Sequence, residues 1–155
     1  MIPTEITDKL IGEWEGTNLL RLSWIDPPDH YSPTRMSIAP EGRDKFLTLR
    51  YTWSHDDIPQ EGVILLCYDE ALKVATAAFA DSWHMSAKIL YCEGSINEDG
   101  VIDFKGFYEA PPDPDWGWRT TISLNSAGKL QMVMHNCSPD GVEDLAVRAE
   151  YSRRD

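Results

Sequence analysis

Arg119, directly behind Trp116-Gly117-Trp118, and Arg148, near the C-terminus, are the side chains best suited to grip a charged small molecule. A guanidinium presents a fork of donors that matches a carboxylate in bidentate fashion, or pairs with an acidic neighbour such as Glu150 when no ligand is bound. Strict alternation puts both arginines on the face opposite the apolar residues of their own strands. A bulge near Gly117, or late in the last strand, would reset that parity and turn one of them inward.

Asp81-Ser82-Trp83-His84 combines an acid, a hydroxyl and an imidazole. A nucleophilic triad is assembled in space, however, and its members are not normally chain neighbours. No Gly-x-Ser-x-Gly surrounds Ser82. The segment reads as a strand end, with Asp81 capping the turn and Ser82 bonding backbone. Of His30, His55, His84 and His135, no pair has metal-ligand spacing, so no metal site is expected. His135 lies among Met132, Val133 and Met134, and one axial His in an apolar barrel suffices to hold haem. Its parity groups it with Gln131 instead, as a half-buried His bonded to backbone. Cys67, Cys92 and Cys137 are dispersed, without a CxxC, and are expected as buried reduced thiols. Glycine-rich phosphate loops are absent, which removes the familiar nucleotide-dependent chemistries. No cofactor is expected.

These residues sit on a chain whose apolar period is two almost throughout. Thr4 to Ile11 reads as a short helix, with Thr4 as cap and Gly12 as stop. Candidate strands follow at Trp14–Ile25, Thr34–Ala39, Lys45–Trp53, Gly62–Tyr68, Lys73–Phe79, Ser86–Ile96, Val101–Tyr108, Gly117–Leu124, Lys129–Cys137 and Asp144–Arg153. Turns such as Asn97-Glu-Asp99-Gly100 and Asn125-Ser-Ala-Gly128 carry Gly where a tight connection needs positive φ. The prolines of Asp26–Pro33 and Pro111–Pro114 read as longer loops at one rim. About ten short strands joined in sequence form an antiparallel meander, and closure removes its reactive edges. The expected fold is therefore all-β: one closed antiparallel barrel over residues 1–155, with a short N-terminal helix. Gly12-Glu13-Trp14-Glu15-Gly16 would plug its floor, the indole pointing inward and the second glycine letting the strand bend over it.

The 155 residues carry 26 acidic and 14 basic side chains, a formal charge of −12, which disfavours nucleic acid and anionic membranes as partners. The N-terminus lacks a basic start and apolar middle, and no apolar run is long enough to cross a bilayer, so a cytoplasmic location is expected. Several strands have one apolar face: Leu47, Leu49, Tyr51 and Trp53; Ile102, Phe104, Gly106 and Tyr108; Trp118, Thr120, Ile122 and Leu124; Leu130, Met132 and Met134. A barrel slightly wider than eight strands would enclose a modest apolar cavity between such faces. Its wall would include Tyr51, Phe104, Tyr108, Trp118 and Met132, with Arg119 or Arg148 as polar anchor if turned inward.

Several segments in order carry a family likeness: Leu10-Ile-Gly12-Glu-Trp14-Glu-Gly16, Gly62-Val-Ile-Leu-Leu-Cys-Tyr68-Asp69, Ala80-Asp81-Ser82-Trp83, Gly117-Trp118-Arg119-Thr120, Asn136-x-Ser138-Pro139-Asp140-Gly141 and Tyr151-Ser152-Arg153. The chain resembles the "domain of unknown function 1579" family, mostly bacterial lipocalin-like proteins. That resemblance implies a calycin-type closed barrel and supplies no activity. Analogy with lipocalins and fatty-acid-binding proteins implies a small apolar ligand and is associational. The Arg-x-Tyr pattern of the latter is not met here, because Arg148 is followed two residues later by Glu150.

The expected function is thus non-enzymatic binding of a small, mostly apolar molecule inside the barrel. Phenolic-acid decarboxylases, which also use a calycin barrel, suggest an acid–base alternative with Tyr108, Arg119 and Glu150 facing one pocket. A third possibility is a protein-interaction module built on the two proline-rich loops, with exposed tryptophans as anchors.

Overall fold

Alternating burial is visible along the whole chain in the computed structural model, which describes residues 1–155. Helix α1 (Thr4–Leu10) precedes ten strands: β1 (Gly12–Arg21), β2 (Asp29–Glu41), β3 (Phe46–His55), β4 (Ile58–Asp69), β5 (Val74–Asp81), β6 (Leu90–Ile96), β7 (Ile102–Tyr108), β8 (Trp116–Leu124), β9 (Leu130–Cys137) and β10 (Glu143–Arg153). Each strand pairs antiparallel with its neighbours in sequence, and β1 also pairs with β10, so the barrel is closed. On β5, Ala75, Ala77, Phe79 and Asp81 all face in, as period-two geometry requires.

Four boundaries differ from expectation by several residues: β1 stops at Arg21, which leaves Leu22–Ile25 to a loop, and β4 begins at Ile58, ahead of Gly62. Asp29–Pro33 belongs to β2 and not to a loop, and Pro33 pairs opposite Thr17. Pairing of β2 with β3 starts only at Arg35, so the missing N–H of Pro33 interrupts no ladder on that side. Residues 82–89, part of which the apolar pattern assigns to a strand, form a turn that β6 follows.

One end of the barrel is shut by α1. Trp14 is 1% exposed, and its indole N–H donates to the Leu10 carbonyl at 2.9 Å, one of the acceptors left free where the helix ends. Arg153 donates to the carbonyls of Ile11 and Lys9 while its guanidinium lies 4.3 Å from the centre of the Trp14 ring. Gly16 lets β1 approach β10 closely, since a Cβ there would sit 1.8 Å from the Glu150 carbonyl oxygen. No helix is long and apolar enough to cross a membrane.

Candidate functional site

Five of the six tryptophans, and all four histidines, are carried by strand ends and loops at the end opposite α1. This follows from counting hairpins: β1, β3, β5, β7 and β9 finish there, and the even-numbered strands begin there. The organising residue is Asp81, at the end of β5 and 2% exposed. One carboxylate oxygen accepts the backbone N–H groups of Trp83 and His84, both at 2.9 Å. The other accepts the Tyr51 hydroxyl at 2.7 Å and the Trp53 indole N–H at 3.2 Å. Four donors offset the hydration this carboxylate loses on burial. They also hold the 82–89 turn across the barrel mouth.

The turn lays Trp83 and His84 on the aromatic residues below. His84 stacks on Trp53 at 5.3 Å and leans on Trp118 at 4.9 Å, while Trp83 meets Trp53 edge-on at 5.9 Å. Beneath His84, the gap bounded by Asn18, Tyr51, Trp53, Asp81, Met134 and Val147 has no room for a water molecule. Above it opens a cleft of about 400 Å³ walled by Leu22, Trp24, Trp83, Trp116, Trp118 and Leu145. His84 belongs to both walls and is the seal between them. Eight of the thirteen residues lining the cleft are hydrophobic, against four of fourteen and four of thirteen in two larger surface grooves. The apolar balance singles out the mouth as the candidate site.

Hydrogen bonding and burial tune its chemistry. The Trp118 indole nitrogen is buried and has no hydrogen-bond partner. The Tyr108 hydroxyl donates to the Asn136 side-chain oxygen at 2.5 Å, which orients an amide that also lines the cleft. Burial pushes the His84 imidazole down to about 4 against the opposing Asp81 charge, so the ring is neutral at neutral pH. Burial first, and then the Asp81 charge, holds the Tyr51 phenol well above its ordinary value. Burial also raises the Tyr108 phenol.

Of the seven residues expected to bind a ligand, Trp118 lines this cleft. Tyr108 reaches it through Asn136, and Tyr51 lies beneath the seal. Phe104 and Met132 are closed off in the core at 1% and 0% exposure. The arginines do not turn inward. Arg119 lies on the outer wall, bonded to Asp103 at 2.9 and 2.6 Å and to Glu143 at 3.1 and 3.2 Å. The register of β8 is unbroken through Gly117, so its parity is never reset. β10 does carry a bulge, between Leu145 and Val147, but past it Val147, Ala149 and Tyr151 face in and Arg148 is exposed.

Glu150 is bonded to Lys129 and Gln131 on the outside, so Tyr108, Arg119 and Glu150 do not meet. His135 pairs opposite Arg119 and shares its outer face. Ser82 donates to Gln60 and accepts the Glu61 N–H, away from His84. The residues that parity reasoning missed are Trp24, Trp83, His84 and Asn136. Their signal was the crowding of Trp and His beside strand ends that hairpin counting assigns to one rim.

A family model described as "Protein of unknown function (DUF1579)" matches residues 4–153. The chain belongs to this family. No curated protein matches the sequence. Among solved structures, Rv2717c from M. tuberculosis is similar in fold, with a TM-score of 0.63, 15% identity, and 97% of this chain and 96% of that chain covered. Membership in the family and this shared barrel agree with the closed ten-strand meander, while the site is described by its own side chains.

Proposed function

We propose that this protein is a non-enzymatic binding protein that seats a small, mostly apolar molecule in the mouth of its barrel. The observation that carries the reading is the tryptophan-walled cleft of about 400 Å³. Flat aromatic surfaces supply apolar area at low entropic cost. The ligand sits above the His84 seal and not in the barrel interior, where the side chains are packed against each other. A net charge of −12 further favours a small molecule over nucleic acid.

The reading is tested by titrating the neutral apolar probe N-phenyl-1-naphthylamine while following tryptophan fluorescence, alongside native mass spectrometry of protein purified without denaturation. Saturable quenching is expected, and Trp118→Ala should weaken it by about 1–3 kcal/mol, near the transfer energy of one buried side chain. Probe binding that is absent, or indifferent to Trp118→Ala, combined with no retained mass, would remove the mouth site as a candidate.

A further inference from the structure

The charges around the mouth point to the class of molecule it takes. The five loops at this end, residues 22–28, 56–57, 82–89, 109–115 and 138–142, carry seven carboxylates and one cation, Lys88. The loops at the α1 end, residues 42–45, 70–73, 97–101 and 125–129, carry four of each. Half of the chain's net charge of −12 is therefore carried by the loops over one opening, while the loops at the other end are balanced. Electric fields from such a rim focus on the low-dielectric cleft they surround.

Within the cleft the balance has the same sign. Its one guanidinium, Arg21, is held by Asp29 at 2.8 Å, whereas its one carboxylate, Asp144, has no ion-pair partner. The other lining groups, including the neutral His84, offer no free positive charge to an anionic ligand. The walls are indole faces, whose quadrupoles attract cations most strongly among the aromatic side chains. Aromatic walls around a cavity, a lone carboxylate and an acidic rim together are what an organic ammonium needs for recognition.

We propose that the ligand of this cleft is a small organic cation, a quaternary or tertiary ammonium carried on an apolar body. The inference rests on the mouth being the binding site and adds the charge of what binds there. Trp83 and Trp116 would face the cationic head, and Asp144 would supply the counter-charge.

The test compares phenyltrimethylammonium with tert-butylbenzene, its neutral carbon isostere, by fluorescence titration at low and high salt. The cation should bind about tenfold tighter at low salt, and added salt should shrink that ratio. Asp144→Asn should lower cation affinity several-fold while leaving the isostere nearly unchanged, and Trp116→Leu should weaken both compounds, the cation several-fold more than the isostere. If the isostere binds as tightly as the cation, the charge inference is overturned while the mouth site stands. If neither compound binds, and N-phenyl-1-naphthylamine does not bind either, the mouth site fails and this inference with it.

Discussion

The Tyr51 hydroxyl donates a 2.7 Å hydrogen bond to the Asp81 carboxylate, joining β3 to the end of β5 inside the barrel wall. Gly62 stands between them on β4, and a Cβ there would lie 2.1 Å from the Tyr51 ring. This bond, with the Trp53 indole on the same oxygen, anchors the turn that carries the seal. Asp81→Ala leaves two side-chain donors and two backbone N–H groups without their acceptor, and should destabilise the fold by about 3–5 kcal/mol. Tyr51→Phe should lose less, about 1.5–3 kcal/mol. Urea denaturation of both variants gives the comparison, and equal small losses would mean that Asp81 is not the anchor.

Trp14 and Arg153 close the other end together, the guanidinium resting on the indole face. Trp14→Ala should destabilise by about 3–5 kcal/mol, because it empties the barrel floor and frees the helix terminus. Arg153→Ala should be milder, about 1 kcal/mol, as its side chain is largely exposed. A loss below about 1 kcal/mol for Trp14→Ala would show the indole to be peripheral.

Gly16→Ala should be among the most damaging single-methyl changes in the chain. The new Cβ meets backbone, not a movable side chain, at 1.8 Å from the Glu150 oxygen. β1 and β10 would have to part at the seam that closes the barrel, with a loss of about 3 kcal/mol or more. Thermal melting provides the readout, and an unchanged midpoint would contradict the close approach.

His84 makes the seal sensitive to acid. Its folded value, pushed down to about 4 from the ordinary 6.5, means that the fold favours the neutral ring. The associated stability is fully present above about pH 6.5 and is lost as pH falls toward about 4, up to roughly 3 kcal/mol in all. Protonation also places a cation against Trp53 and Trp118 and close to Asp81, which softens the loss. Urea midpoints at several pH values should show His84→Phe with a flatter decline between pH 6.5 and 4.5 than the parent chain. Parallel declines would assign the acid sensitivity to other groups.

The alternation of Leu47, Leu49, Tyr51 and Trp53, and its counterparts on β7 to β10, was enough to specify inward faces. Side-chain direction in a strand depends only on local geometry and so is written into the residue order. The same local rule kept Arg119 and Arg148 outside, and it placed Trp14 between its two glycines in the floor. What residue order left open was decided by contacts between distant segments. Asp81 reads locally as a strand-end cap, and only the folded chain brings it Tyr51 and Trp53 from β3 as further donors. His84 becomes a seal because that turn is drawn inward onto Trp53 and Trp118, rings that lie 31 and 34 positions away in the chain. The cleft itself is shared by β1, β8, β9, β10 and the loops beside them, so no single segment of sequence contains it. Local sterics act over a few residues and are legible in sequence, whereas a site assembled by closing a barrel exists only once the first strand has met the last.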